Sequence, residues 1–154
     1  MNKQSGFTLI ELVVVIVILG ILAVTAAPRF LNLQSDARVS ALQGMKGAMA
    51  GAGSIVYGKA AINGVETAVS GAIDNGSQSI SIVYGYPEAS SAGIGNAVQG
   101  LEDATEWQLA ESGDKAYVTF ADRNVPNGTE CSVIYQNAAD KSSSPQITVV
   151  ETGC

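Results

Sequence analysis

Histidine is absent from the 154 residues. That removes the commonest general base and the commonest metal ligand. Only two cysteines are present, Cys131 and Cys154, and two thiols without histidine cannot make the four-ligand Cys/His sets of structural zinc. Positive charge is scarce: 8 Lys and Arg stand against 14 Asp and Glu, for a net charge of −6. So few cations cannot build the broad basic face that phosphate neutralisation needs, so nucleic acid is not an expected partner. Charge of either sign is thin, 14% of residues against about 25% in ordinary soluble chains. The shortages point away from an enzyme and towards a membrane-inserted or assembled structural protein with one modest domain. No Ser/His/Asp or Cys/His arrangement can be drawn without histidine. Gly93-x-Gly95 does not continue into a dinucleotide or P-loop pattern. Glu102, Asp103 and Glu106 could lie near Asp122 and suggest calcium, but no dense acidic ligand loop or EF-hand pattern is visible. A solvated acidic face is the simpler expectation, with no metal and no cofactor.

What is abundant is a long apolar run. From Phe7 to Ala27 the single charge is Glu11, and Leu12 to Leu19 are eight apolar residues in succession. A helix of this length spans roughly 30 Å, the hydrocarbon thickness of a bilayer. A removable secretory signal is one reading, with Lys3 as its charge and Thr25-Ala26-Ala27 as its exit. Pro28 just after the cut, the length of the run and Glu11 all speak against it. A plain single-span anchor is the second. It can absorb Glu11 near the helix end but gives no reason for a carboxylate that costs about 2.5 to 3.5 kcal/mol at the centre of a membrane helix.

The third reading supplies the reason. Lys3-Gln4-Ser5-Gly6-Phe7-Thr8-Leu9-Ile10-Glu11 resembles the signature of type IV prepilins: a short basic leader ending in Gly, then Phe, Thr-Leu-Ile-Glu and a long apolar run. The resemblance implies that a membrane-embedded prepilin peptidase cuts between Gly6 and Phe7 and methylates the new amino terminus. Gly6, lacking a side chain, permits close backbone approach. Glu11 lies four residues beyond Phe7 on the same helix face. In a bilayer or a dry filament core its carboxylate needs a partner, and the resemblance implies the amine of a neighbouring subunit's Phe7. A misregistered subunit would bury two unpaired charges at a cost of several kcal/mol. Glu11 is therefore expected to set assembly register, not to act as a catalytic acid.

The helical pattern continues past the apolar run. Phe30, Leu33, Ala37, Ala41, Met45, Ala48, Ala52 and Ile55 step by three or four, which predicts one helix from about Thr8 to Tyr57 with that stripe facing inward. Its first half, 7–28, is apolar all round; its second, 29–57, is amphipathic. Pro28 predicts a kink and Gly20 a weak point. In similar pilins the stretch between such residues can lose helicity in the filament. Gly44, Gly47, Gly51 and Gly53 are each unfavourable in a helix. They are read as letting a sheet lie close, with small-residue helix packing from Gly47-x-x-x-Gly51 as the alternative.

After Tyr57 the composition turns to Gly, Ser, Ala and Asn, with turn signals at Asn63-Gly64, Asn75-Gly76 and Asn127-Gly128. Alternation predicts strands at 80–84, 116–120, 131–135 and 146–150. Short helices are expected at 91–101 and 104–110, the second turning Trp107 to the sheet. The fold class is α+β: a long N-terminal α-helix packed on a four-stranded antiparallel sheet, which also resembles the pilin fold. The organisation expected is a leader at 1–6, two half-helices, and a globular head at 58–154. Cys131 and Cys154 would pair in an oxidising space, and similar pilins commonly carry such a C-terminal disulfide loop; two free thiols are the alternative. Tyr84, Tyr86 and Trp107 could line a sugar site, though core packing explains them as well.

The expected function is that of a structural subunit of a type IV pilus, first held in the inner membrane of a Gram-negative bacterium and then assembled into extracellular, adhesive, homo-oligomeric filaments. The implied partners are the peptidase, a pilus assembly platform, further copies of the chain and a surface glycan receptor. The stretch Pro28-Arg29-Phe30-Leu31-Asn32-Leu33, with Ala37-Arg38, is most similar to pilins of the mannose-sensitive haemagglutinin type. A type II secretion pseudopilin is the alternative, since those proteins look similar over the first thirty residues.

Overall fold

The computed structural model describes residues 7–102, 104–123 and 130–154, with the backbone alone described at 27–32. Helix α1 runs Leu9–Ile62. Strands β1 (Gly71–Asp74), β2 (Ser79–Val83) and β3 (Tyr86–Pro87) follow. A single π-helical turn, Ser91–Gly95, precedes β4 (Trp107–Ser112), β5 (Lys115–Phe120), β6 (Ser132–Gln136) and β7 (Gln146–Val150). The chain divides into two compact units, one ending at Ala37 and the other running Arg38–Cys154.

α1 ends five residues later than the sequence pattern predicts. Gly58-Lys59-Ala60-Ala61-Ile62 continues the helix, because Lys and Ala are good helix formers. The stop is a Schellman motif: Val65 N–H donates to Ala60 O at 2.9 Å and Gly64 N–H to Ala61 O at 3.1 Å. Gly64 takes the left-handed conformation, φ +70°, that such a cap requires.

In the Arg38–Cys154 unit the inward stripe of α1 is Leu42, Met45, Met49, Val56 and Ala60, all buried. This corrects the expected stripe. Met45 belongs to it and Ala52 packs beside it, but Leu33 is 62% and Ile55 76% exposed. The difference has a physical cause. Alanines carry little burial energy, so the larger Leu42, Met49 and Val56, spaced at sevens, set the helix rotation. The glycine expectation fails at three of the four positions. An added Cβ at Gly44, Gly47 or Gly51 would meet nothing within 4 Å, and at Gly53 only Tyr86 Cδ1 at 3.9 Å. The sheets do not depend on these three glycines for a close approach.

The strands form two antiparallel sheets. One, β1-β2-β3, holds the segment expected at 80–84. Its β2–β3 hairpin turns on Tyr84 and Gly85, with φ +49° and +80°, the two positive values a type I′ turn requires. The other is four-stranded, β4-β5-β6-β7, and its first strand is the segment expected to be a helix at 104–110. Trp107 pairs with Phe120 and Leu109 with Val118, so the period is two. Ser112 pairs with Lys115 across Gly113-Asp114, with Gly113 at φ +62°, a two-residue hairpin. The helix expected at 91–101 shrinks to the turn Ser91–Gly95, capped by the Ser90 hydroxyl on Gly93 N–H. The turn signal at Asn127-Gly128 lies outside the described residues.

Two cores result. Leu42, Met45 and Met49 pack with Ala89, Ile94, Val98, Val118, Val133 and Tyr135 under the four-stranded sheet. Val56 and Ala60 pack with Ile73, Ile80 and Ile82 under the three-stranded sheet. Between the sheets, the Tyr135 hydroxyl donates to Pro87 O at 2.7 Å and Ala89 N–H donates to Asn137 Oδ1 at 2.6 Å. Burial pushes the Tyr135 hydroxyl well above the usual phenol range, so it stays a donor.

Candidate functional site

The segment Leu9–Ala26 is long and apolar enough to cross a membrane, with a mean hydropathy of 3.0 and none of it buried within the chain. Ile, Val and Leu exposed over five turns of helix must be covered by lipid or by other protein. Gly20 lies within this segment, open on its Cα side. Pro28 follows inside α1, which continues through it.

The start of α1 is built by Thr8 and Glu11. Thr8 is the N-cap: its Oγ1 accepts from Glu11 N–H at 3.3 Å. In return the Glu11 carboxylate accepts, at Oε2, the Thr8 N–H at 2.8 Å and the Thr8 hydroxyl at 2.7 Å. This is a capping box with an extra hydroxyl bond. The sequence signal for it, Thr-x-x-Glu before an apolar run, stands in Thr8 to Glu11, although the site role expected from the sequence falls on Glu11 alone. Phe7 precedes the cap and is 92% exposed. Gly6, the other half of the expected cleavage site, lies outside the described residues.

Further along α1, Gly44, Gly47, Gly51, Ile55, Gly58 and Ile62 follow one another at intervals of three or four, and all are exposed. Ile55 and Ile62 are the large apolar members of this face. None of these six residues is charged, and Lys59 borders the face beside Ile55.

The Cys131–Cys154 disulfide is formed, across a sequence separation of 23. Cys131 N–H also donates to Thr152 O at 2.8 Å, and an Arg123 guanidinium nitrogen donates to Gly153 O. The segment after β7 is thus fastened by two bonds to Cys131, just before β6, and by a third to Arg123, just after β5.

Among the described residues the acidic side chains do not gather as a calcium site would need. Among the described residues no group of three or more metal-binding side chains occurs, and Asp103 lies outside them. Asp122 is engaged instead by Arg38, Nη2 to Oδ2 at 2.6 Å. That hydrogen bond holds the Asp122 carboxyl below its usual range. The Arg38 guanidinium also lies 5.1 Å from the Phe120 ring centroid, and Phe120 stacks on Trp107 at 4.6 Å. A cleft of about 480 Å³ opens beside these groups. The aromatics suggested for a sugar site are not brought together: Tyr86 stacks on Tyr57, and Trp107 lies in the other sheet.

Residues 1–27 match the family described as the prokaryotic N-terminal methylation motif. The chain is 28% identical over 145 residues to the fimbrial protein EcpC of Eikenella corrodens, covering 82% of this chain and 95% of that protein. It is 48% identical over 44 residues to the type IV major alpha-pilin of Moraxella bovis, 29% of this chain and 28% of that one. It is 49% identical over 43 residues to type II secretion system core protein G of Pseudomonas aeruginosa, 28% of this chain and 30% of that one. The chain thus spans nearly all of the first relative and under a third of the other two. No solved structure matches. The chain thus carries the N-terminal methylation motif with an apolar half-helix behind it and an α+β head, and it is similar to fimbrial and type IV pilin proteins.

Proposed function

We propose that the chain is a structural subunit of a type IV pilus. A prepilin peptidase cuts it between Gly6 and Phe7 and methylates Phe7. An assembly platform then moves it from the inner membrane of a Gram-negative cell into a homo-oligomeric surface filament. The observation that carries this reading is the bare apolar half-helix Leu9–Ala26 directly behind the methylation motif. In the membrane lipid covers it, and in the filament other copies do. Glu11 sets the register by pairing with the Phe7 amine of a neighbouring copy, because a misplaced subunit leaves both charges without a partner in a dry environment. The open face of Gly47, Gly51, Ile55 and Ile62 supports the same reading. Glycines unused by the chain's own packing permit close approach of another helix.

The head forms the outer surface, where contact with a solid surface or a host-cell glycan would occur. The stretch 28–33 favours the mannose-sensitive haemagglutinin type of pilus within the family. The match to a type II secretion core protein supports a second reading, a pseudopilin of the secretion machinery.

Shearing filaments from cells and sequencing the N-terminal peptide by mass spectrometry tests the proposal. A methylated Phe7 terminus abundant in the sheared fraction is the expected result. The same terminus confined to the membrane fraction would favour the pseudopilin reading. A chain that still begins at Met1 would overturn both.

A further inference from the structure

The two oxygens of the Glu11 carboxylate are used unequally. Oε2 accepts both the Thr8 N–H at 2.8 Å and the Thr8 hydroxyl at 2.7 Å. Among the described residues Oε1 accepts no hydrogen bond. The Thr8 hydroxyl oxygen meanwhile accepts Glu11 N–H at 3.3 Å, so the two residues close a ring that fixes the carboxylate's direction as well as capping the helix. A glutamate free to rotate would have three side-chain torsions to settle before it could meet a cation. Here its position is settled within the chain.

From this geometry we propose that Thr8 is a positioning residue for assembly: it holds Glu11 by Oε2 so that Oε1 is presented to the Phe7 amine of a second copy. The proposal rests on the register role given to Glu11 above and adds the group that makes Glu11 ready for it. It has two physical consequences. First, in the membrane the carboxylate is not bare, because two donors from Thr8 satisfy one oxygen before any neighbour arrives. Second, the incoming amine need not displace Thr8. A carboxylate has about four acceptor sites, and Thr8 occupies two on one oxygen. Docking therefore adds a charge-assisted bond to a pre-oriented group and does not exchange one partner for another. Neither Thr8 donor is consumed by cleavage of the Gly6–Phe7 bond, so the arrangement is compatible with the chain before and after processing.

Only a residue that can both donate and accept at the side-chain oxygen fulfils this role. Thr8→Val keeps the shape and removes the hydroxyl; Thr8→Ser keeps the hydroxyl. Each full-length variant, with Thr8→Ala and Glu11→Gln alongside, would replace the native chain in cells. Sheared filament yield and the mass of the N-terminal peptide would then be read together. Expected are normal cleavage and methylation in Thr8→Val or Thr8→Ala, filament yield down by about tenfold from the loss of a hydrogen bond to a charged group, and recovery in Thr8→Ser. Native yield in a processed Thr8→Val or Thr8→Ala chain would overturn the positioning role. So would a processed Thr8→Ser chain as poor as Thr8→Val. Normal filaments from Glu11→Gln would instead remove the register role itself, which separates the failure of this inference from the failure of the reading beneath it.

Discussion

Replacing Gly47 and Gly51 by alanine should move stability and assembly in opposite directions. In a helix interior Gly is about 0.8 to 1.0 kcal/mol less favourable than Ala. At both positions the added Cβ would meet nothing within 4 Å, so no overpacking offsets the gain. The double variant should therefore be more stable by about 1.5 to 2 kcal/mol. Trp107 is the single tryptophan and stacks on Phe120 within the head, so its emission reports unfolding of that unit. With a urea slope of about 1.5 kcal/mol/M, the midpoint of the full chain in detergent micelles should rise by roughly 1 M. Filament yield from cells should fall, because the two methyl groups stand on the face offered to another helix, where axes approach to about 8 Å only over small residues. A variant that is stabilised and still assembles at the native level would refute the use of this face in the filament. A variant that unfolds earlier would refute the view that these glycines have no role within the chain.

Removing the disulfide with Cys131→Ser and Cys154→Ser should cost the head about 3.4 kcal/mol on the chain-entropy estimate for a loop of this separation. An unchanged urea midpoint would show that the hydrogen bonds at Thr152 and Gly153 hold the segment by themselves. The Arg38–Asp122 pair should show in the acid limb. The Asp122 carboxyl is held below its unfolded value of 3.8, so its contribution is present above that pH and is lost as pH falls through the lower, folded value. The native chain and Asp122→Asn should therefore differ in thermal midpoint at neutral pH and converge in acid. A gap that persists at pH 2 would mean the variant acts through packing. Because Asp122 is exposed, the difference should be small.

The amino-terminal half of this molecule was legible because its signals are strong and local. An apolar run with one carboxylate has few readings, and the residues between Gly6 and Glu11 narrow them further. In the head, β5, β6 and β7 appeared in the sequence to within a residue or so, since alternation of large apolar side chains dictates a sheet face. The segment at β4 misled because Ala104, Glu106, Ala110 and Glu111 are good helix formers, while its strand character comes from pairing Trp107 and Leu109 with residues on β5. That is tertiary information overriding local propensity. The separation into two sheets was equally hidden, because nothing in Ile80-Ser81-Ile82 names its partner strand. The glycines of α1 illustrate the same limit. A sequence shows that a helix carries glycine but not which way the glycine faces.

The two sheets share no strand pairing, and each lies over its own cluster on α1. Folding cooperativity should follow that division. The three-stranded sheet is anchored by Val56, Ala60, Ile73, Ile80 and Ile82, a small amount of apolar surface. It can open sub-globally once the hydrogen bonds at Pro87 and Ala89 release, leaving the larger core intact. Amide protons of β1 and β2 would then exchange with solvent through a cheaper opening than those of β5 and β6. The head is in this sense two foldons on one helix, with the tyrosine of β6 as the latch between them.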